Sequence, residues 1–447
     1  MLLFPEADGV ITRFLENHER PYPTGEARLP LVIEPAGERS RSLSFLKAFL
    51  SRRSVAVKSA LYEYGAVLLR GFHVASEPDF EASLLSIDGV RAMSCYFMSE
   101  AGREVIKGTS SVWSTNTEHQ TGGTFDFHAF HSENFYTTDV PAIQSFWCKK
   151  APWLGGETAF THMAHAYAEL DAALKSRLES EPVWAVRWAI ERLATRYRIP
   201  EHVVEAFCVE IGLKVLSFNG TKYIIVAKPA VYVHPHTRNR SLQVNLSAEM
   251  PGLQAALRKR FMPHYQGLKW APHRYGWKHD RVAAMLAAFH RVTTRASPKK
   301  LLTRLASRGW SRSAQRGSAS PAVKRQKTDD RNSAVASHLM TRQDVGMPRI
   351  RELLKPGDME SIAAAIGNHT SVFTWKQGDV VIFDNTQMLH AGMPGLGRRE
   401  LAVILANPLR MHRPLTSGVL EVSLEDGCVS MEQQLKSFLE RQQIAHE

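Results

Sequence analysis

The 447-residue sequence predicts a mainly β protein, a β-sandwich or jelly roll with helices packed around it. Short apolar runs bounded by glycine or aspartate turns occur in both halves of the chain, as at 65–72 and 378–383. The sequence has no regular alternation of strand and helix, which would indicate a doubly wound sheet, and no internal repeat or heptad pattern. A hydrophobic fraction of 44% excludes wholesale disorder.

Apolar periodicity predicts the secondary-structure elements one by one. Patterns of helical spacing predict helices within 44–64, 79–85, 162–178 and 361–366. Runs rich in apolar and β-branched residues predict strands at 65–72, 142–148, 223–233, 372–375, 380–383 and 401–405. Glycine and aspartate turns separate the last three strands, as expected for a sheet of short, sequentially connected segments.

The net charge of +12 is concentrated in one segment of the chain. Residues 293–331 contain 11 basic and two acidic residues, so this stretch carries most of the net charge and the rest of the chain is close to neutral. Small and polar residues dominate 311–321. We therefore expect 293–345 to be a basic, disordered insertion, and 1–292 together with 346–447 to form a single folded domain. This concentration of charge argues against nucleic acid as a partner.

Cysteine usage and the N-terminus restrict the class of protein. The four cysteines include no Cys-x-x-Cys pair, which excludes a cysteine-based zinc ribbon and a disulfide framework. The first eight residues lack a basic segment and do not resemble a signal peptide, and no run approaches the roughly 20 apolar residues of a membrane span. These features predict reduced thiols, a cytoplasmic location and no membrane partner.

His131 and Glu133 lie two positions apart and would point to the same face of a strand, where both could bind one metal ion. By itself this spacing is weak, because about two such pairs are expected by chance in a chain of this composition. Far downstream, the apolar strand at 380–383 leads through a polar turn to His390. Two histidines and one carboxylate form a facial triad that suits Fe(II) and leaves room for a bidentate co-substrate and dioxygen.

The co-substrate of such a site would be 2-oxoglutarate. Its distal carboxylate needs a fork-shaped cation such as arginine, and Arg398 and Arg399 come soon after His390, at the start of the predicted strand 401–405.

Several motifs together resemble the TauD/TfdA taurine dioxygenase family. The His-Ser-Glu of 131–133 is followed by Pro-Ala-Ile-Gln-Ser-Phe-Trp-Cys at 141–148 and by Ala-Pro-Trp-Leu-Gly-Gly-Glu-Thr at 151–158. The resemblance extends to 65–72, 114–118 and 378–390, and it covers most of the chain outside 293–345. It implies a double-stranded β-helix, the jelly roll of clavaminate synthase-like enzymes, with flanking helices.

The resemblance also implies roles for individual residues. His131, Glu133 and His390 match the iron ligands of the family, and Thr158 matches a threonine that contacts 2-oxoglutarate. Arg399 matches the arginine for the distal carboxylate, and Arg398 could take that role if the local register differs. The implied cofactors are Fe(II), 2-oxoglutarate as co-substrate and O2.

Two positions depart from the commonest family pattern. Val403 stands where a second arginine often follows the first, which implies a less cationic co-substrate site or a compensating residue. Glu133 replaces the commoner aspartate, as in the subgroup similar to clavaminate synthase and to the amino-acid hydroxylases of nonribosomal peptide pathways. A carboxylate at this position argues against a halogenase, which leaves that coordination position for halide.

The predicted function is oxidation of an unactivated C–H bond, with hydroxylation favoured over desaturation or cyclisation and with release of succinate and CO2. The substrate would be an amino-acid-like or natural-product intermediate, free or tethered to a carrier protein. One alternative is a chromatin- or nucleic-acid-associated oxygenase that uses the basic insertion, including the cluster at 324–327. Another is a non-catalytic jelly-roll binding protein. The sequence predicts neither the oligomeric state nor the stereochemistry.

Other histidines allow both structural and functional interpretations. His234 and His236 have the spacing of a metal pair, although a loop is the simpler interpretation. His128 would face away from His131 on a strand and is expected to be packed. His264, His273 and His279 lie among aromatic residues and could line a substrate lid or pack beneath a helix.

Overall fold

The structure is a computed structural model that describes thirteen parts of the chain. They are residues 4, 8–22, 25, 28–93, 105–115, 123–124, 130–133, 139–242, 251–271, 273–274, 340–410, 417–422 and 431–442. His128, His279 and the segment 293–339 lie outside the described residues.

Nineteen strands are present in these parts of the chain. They are β1 Val10–Phe14, β2 Leu31–Pro35, β3 Ala66–Leu69, β4 Trp113–Ser114, β5 Gly123–Thr124, β6 Asp139–Lys150, β7 Leu154–Gly155, β8 Thr158–His162, β9 Val183–Ala189, β10 Lys214–Phe218, β11 Thr221–Lys228, β12 Val231–Val233, β13 Arg240–Leu242, β14 Thr370–Phe373, β15 Val380–Asp384, β16 Met388–Gly392, β17 Gly395–Leu396, β18 Glu400–Arg410 and β19 Val419–Glu421.

Eleven α-helices accompany the strands within the described residues. They are α1 Leu43–Arg52, α2 Ser54–Tyr64, α3 Glu77–Leu84, α4 Met163–Glu169, α5 Ala172–Ser180, α6 Ile190–Tyr197, α7 Glu201–Glu210, α8 Pro251–Phe261, α9 Arg342–Val345, α10 Asp358–Asn368 and α11 Met431–Arg441. None of these helices combines the length and apolar character that crossing a membrane requires.

Two sheets form the centre of the fold, a jelly roll of the double-stranded β-helix type with flanking helices. The larger sheet has seven strands in the order β1-β2-β3-β15-β6-β18-β4, and the smaller has the order β14-β8-β16. A buried apolar cluster lies between them, with Leu68, Val381 and Val403 from the larger sheet and Phe160 and Met388 from the smaller. The predicted fold class is therefore confirmed.

Both outer faces of the two sheets are covered by helices, which explains the continuous apolar runs in the sequence. In β15, Val381 faces the inter-sheet cluster, whereas Val380 and Ile382 join a second cluster with α1, α2 and α3. The outer face of the smaller sheet packs against α4, α5, α8 and α10. A strand buried on both faces has no polar side to alternate with, so its sequence reads as one apolar run.

The predicted helices and strands are present, but several predictions of their length or continuity were wrong. The helix expected within 44–64 is two helices that meet at Arg53, and the helix expected at 162–178 is interrupted at Leu170. The strand expected at 223–233 is likewise two strands, β11 and β12. α2 and α5 begin immediately after these breaks, and the Asp171 side chain caps α5 by accepting a hydrogen bond from Leu174 N–H.

The last six residues of the segment 293–345 are folded, so the expectation of disorder is wrong for them. The Thr341 side chain caps α9 together with Asp344, and Val345 is fully buried beside Met340, Trp184 and Ile225. The local reason is a capping box followed by an apolar residue, which the basic character of the preceding segment obscures. The rest of the segment lies outside the described residues.

Candidate metal centre

Three predicted ligands converge at one edge of the smaller sheet. His390 lies in β16, and its backbone pairs with that of His131 through two hydrogen bonds of 3.1 and 2.9 Å. This bridge adds the segment 130–133 to the edge of the sheet beside β16. As a result, residues separated by about 260 positions in the sequence become neighbours in space.

The ligand atoms of His131, Glu133 and His390 all lie within 4.8 Å of one another. Glu133 and His390 are buried and His131 is half-buried. The separation between His390 Nε2 and Glu133 Oε2 is 3.9 Å. This is longer than a hydrogen bond, and it is close to the about 3–4 Å that separates two ligands of one ion when each bond is about 2.1 Å.

Aromatic side chains pack around His390. The rings of Phe146 and Phe383 lie 5.4 and 5.2 Å from its imidazole, centroid to centroid. Both phenylalanines belong to the inter-sheet cluster, so the imidazole is held against a rigid apolar wall. The donor set of two imidazoles and one carboxylate in a partly apolar pocket fits Fe(II).

Two polar side chains that the sequence interpretation did not single out contact Glu133. The side-chain amide of Gln144, in β6, donates a hydrogen bond to Glu133 Oε2 at 3.2 Å. Asn385, in the turn between β15 and β16, hydrogen-bonds the Glu133 backbone on both its N–H and its C=O. Both residues fall inside motifs on which the family resemblance depends, but neither has a spacing that would indicate contact with Glu133.

Thr158 and Arg399 lie together at the start of β8. Arg399 Nη1 donates to the carbonyl oxygens of Gly156, at 2.7 Å, and Glu157, at 3.3 Å, the two residues before Thr158. The Thr158 hydroxyl accepts a hydrogen bond from Trp375 Nε1 at 3.0 Å, and a hydroxyl that accepts can also donate its own hydrogen. Arg399 is therefore attached to the two residues that directly precede Thr158.

Arg399 is buried and incompletely paired. Within the described residues its Nε has no hydrogen-bond partner. Burial lowers the pKa of its guanidinium to about 10, which still leaves the group charged at neutral pH. A buried guanidinium with a donor to spare fits the carboxylate of a co-substrate. Arg398 differs, since it is exposed and pairs with Glu400 at 2.9 Å.

Two glycines, Gly155 and Gly156, allow close approach of β7 and β17 shortly before Thr158. Gly155 has a φ of +59°, and a Cβ there would lie 2.3 Å from the carbonyl oxygen of Pro394 and 2.5 Å from the Trp270 ring. No side chain fits in this space, so glycine is required for the strand contact that leads to Arg399.

Glu157, between the glycine pair and Thr158, is a buried carboxyl group. Its Oε2 has no hydrogen-bond partner within the described residues. Burial raises its pKa to about 7, although the charge of Arg399 opposes that shift. The sequence interpretation treated this residue only as part of a motif, because its burial cannot be read from the local pattern.

The other histidine pair, His234 and His236, has structural contacts. His234 Nδ1 accepts hydrogen bonds from the N–H groups of His236 and Thr237, and its Nε2 lies 2.8 Å from Asp384 Oδ2. His236 stacks on the Tyr62 ring at 4.2 Å. Both nitrogens of His234 are thus engaged, which agrees with the loop interpretation.

His273 and Trp270 are buried and pack edge to face at 4.8 Å. His264 lies 4.6 Å from the buried Tyr22 ring, centroid to centroid. For these residues the contacts are those of packing beneath a helix, since Tyr22 and Trp270 belong to the apolar cluster that includes α8.

Residues 33–307 match the family described as "Taurine catabolism dioxygenase TauD, TfdA family". The match spans more than half of the chain and includes His131, Glu133 and Thr158. It ends before His390 and Arg399, although the fold places His390 beside His131 and Glu133 and places Arg399 against the backbone of Gly156 and Glu157. No curated protein sequence matches the chain at a significant level.

Among solved structures, PvcB of Pseudomonas aeruginosa aligns with 13% identity and a TM-score of 0.42, over 94% of this chain and 97% of PvcB. A taurine dioxygenase of Burkholderia xenovorans aligns with 12% identity and a TM-score of 0.38, over 92% of this chain and 96% of that one. TM-scores below 0.5 are too low to establish a shared fold, so family membership rests on the sequence match.

Proposed function

The chain belongs to the TauD/TfdA dioxygenase family and is an Fe- and 2-oxoglutarate-dependent oxygenase, and from that premise we propose that His131, Glu133 and His390 hold its iron. The observation that carries this proposal is the convergence of two imidazoles and one carboxylate within 4.8 Å at the edge of the smaller sheet. We further propose that Arg399 and Thr158 bind the co-substrate.

The reaction we propose is oxidation, by hydroxylation, of an unactivated C–H bond in an amino-acid-like or natural-product molecule, free or tethered to a carrier protein. Iron, 2-oxoglutarate and dioxygen supply the oxidising chemistry when bound, and succinate and CO2 are the co-products. The protein's part is to bind, orient and exclude water.

Each residue has a distinct part in that arrangement. His131 and Glu133 present their side chains from the segment that pairs with β16, and His390 presents its imidazole from β16 itself. The Arg399 guanidinium provides a fixed, buried positive charge for a carboxylate, and the Thr158 hydroxyl provides a neutral hydrogen-bond donor beside it. The phenylalanines around His390 exclude water from that side of the centre.

We also propose the single-domain organisation, with 1–292 and 346–447 as one oxygenase domain. Supporting it, strands from both parts alternate in the larger sheet, where β15 and β18 flank β6. A sheet assembled in this way cannot be divided into two independent folding units at the segment 293–339.

Succinate release tests the proposed function. Purified protein is supplied with Fe(II), 2-oxoglutarate and O2, and succinate is measured over a panel of free and carrier-tethered amino acids. We expect substrate-stimulated succinate in the native protein and none above background in a His131→Ala variant. A matched His236→Ala variant should retain activity, because His236 stacks on Tyr62 outside the centre. Undiminished turnover in His131→Ala would contradict the proposal.

A further inference from the structure

We infer that Asn385 is a positioning residue that fixes Glu133 for metal binding, an inference that rests on the metal centre proposed above. Asn385 lies in the turn between β15 and β16 and is fully buried. Its Oδ1 accepts a hydrogen bond from Glu133 N–H at 2.8 Å. Its Nδ2 donates to the Glu133 carbonyl oxygen at 3.1 Å and to the Pro141 carbonyl oxygen at 2.9 Å.

The Asn385 side chain makes the two hydrogen bonds to the Glu133 backbone that a residue of a neighbouring strand would otherwise make. A carboxamide offers one acceptor and a donor group, which is what the N–H and C=O of Glu133 require. The Asn385 backbone N–H donates to the Ala142 carbonyl oxygen at 2.9 Å, so the residue is itself anchored to β6.

The contact fixes the three ligands relative to one another. Backbone pairing attaches His131 to His390, and the Asn385 side chain attaches Glu133 to the turn that leads into the strand of His390. The segment 130–133 is thus held at both of its ligand positions by the single stretch 385–390. Gln144 then orients the carboxylate itself through its 3.2 Å contact with Oε2.

Few residues can replace asparagine here. Aspartate has the same shape but is an acceptor only, so it would place a carboxylate oxygen against the carbonyl oxygens of Glu133 and Pro141. Asn385→Asp therefore loses the two hydrogen bonds that Nδ2 donates, keeps an acceptor for Glu133 N–H, and leaves the side-chain volume almost unchanged.

The chain offers a matched control in Asn407, within β18. Asn407 Oδ1 accepts from Arg91 N–H at 2.7 Å, its Nδ2 donates to the Gly89 carbonyl oxygen at 3.1 Å, and its backbone N–H donates to the Arg91 carbonyl oxygen at 2.8 Å. The hydrogen-bond pattern is similar, since the side chain again accepts from one backbone N–H and donates to a carbonyl oxygen, although Asn407 is half-buried. The attached segment carries none of the three proposed ligands. Asn407→Asp thus reports what loss of such a contact does by itself.

Co(II) binding to the metal-free protein, measured calorimetrically without 2-oxoglutarate and well below the unfolding temperature, tests the inference. We expect Asn385→Asp to weaken binding about 10–100-fold, the range typical of residues that support metal ligands, and Asn407→Asp to leave it within about twofold of native. Native-like affinity in Asn385→Asp, or equal weakening in both variants, would overturn the inference. Failure of the native protein to bind Co(II) would instead count against the proposed metal centre.

Hydrogen exchange on the native, metal-free protein tests the contact without any substitution, so it does not depend on the variants folding. The Glu133 amide should exchange at least about tenfold more slowly than in an unstructured peptide, because its N–H is buried and hydrogen-bonded to Asn385. Exchange at the unstructured rate would show that the contact is not formed, and the inference would fail.

Discussion

Two buried arginines, Arg70 and Arg399, lie in regions of the molecule that compensate charge in different ways. Arg70 donates to both oxygens of Asp379, at 3.0 and 2.7 Å, and to Glu19 at 2.7 Å, so carboxylates contact it directly. Arg399 donates to two backbone carbonyl oxygens, and its Nε has no partner within the described residues. Desolvation opposes the charge of both, but the pKa of Arg70 is nevertheless raised, whereas that of Arg399 is lowered to about 10.

The carboxylate that pairs with Arg70 and the carboxylate of the candidate metal centre differ in a similar way. Asp379 contacts its cation directly, whereas Glu133 and His390 remain 3.9 Å apart around a common centre. Oppositely charged side chains in direct contact neutralise one another and hold their strands together. Groups that converge without contact leave space and charge for a bound species, which is the physical difference between a structural ion cluster and a binding site.

The largest expected effect comes from breaking the ion cluster. Arg70→Met leaves Asp379 and Glu19 buried without their shared cation, and we expect it to lower the free energy of unfolding by about 3–5 kcal/mol. Urea denaturation measures this change. Arg238→Met is the control: its pair with Glu421 is exposed, and we expect a loss below about 1 kcal/mol. Similar losses in the two variants would contradict the structural role given to Arg70.

A second effect concerns the buried carboxyl group of Glu157 beside Arg399. Burial raises its pKa to about 7 in the folded protein from an ordinary value near 4.5 in the unfolded chain, so folding favours the protonated form. The associated stability is fully present below pH 4.5 and is lost as the pH rises through 7. The total is about 3 kcal/mol, from 1.36 kcal/mol per pKa unit.

Glu157→Gln cannot ionise, and it therefore isolates this contribution. The difference in unfolding free energy between native protein and variant should move by about 3 kcal/mol in favour of the variant between pH 4.5 and 8. Denaturation at several pH values measures it. A difference that stays constant with pH would show that Glu157 ionises normally and is better paired than its burial indicates.

The smallest expected effect is on co-substrate binding, and it distinguishes Arg399 from its neighbour Arg398. Arg399→Lys keeps the positive charge but loses the paired N–H donors of the guanidinium. We therefore expect the KM for 2-oxoglutarate to rise about 10–100-fold, as for the loss of hydrogen bonds to a charged group. Arg398→Lys should change it less than about twofold, because Arg398 is exposed and paired with Glu400. The reverse pattern would assign the co-substrate role to Arg398.

The sequence predicted those strands and site residues whose signals lie within short stretches of the chain. The apolar runs at 65–72, 380–383 and 401–405 each contain or lie within a strand, and they were predicted because their apolar character is local. The triad was predicted because its residue types lie in motifs resembling one family, and residues 131–133 contain two of the three predicted ligands. The structure then brought all three together.

Other features depend on pairings that no local pattern encodes. Asn385 and Glu133 are 252 positions apart, and Arg70 and Asp379 are 309 apart. An asparagine after a strand usually indicates a turn, and its contact with a distant ligand segment depends on how the sheets align. The helix breaks at Arg53 and Leu170 were missed for a related reason, since the apolar stripe continues through each of them.

Iron binding by the purified, metal-free protein tests the central claim most directly. Fe(II) is added anaerobically to native protein and to Glu133→Ala, and the bound ions per chain are counted after equilibrium dialysis. We predict one ion per chain in the native protein and a loss of binding in the variant, which removes the carboxylate from the triad. Equal binding in both proteins, or none in the native protein, would contradict the assignment of His131, Glu133 and His390 as the iron ligands.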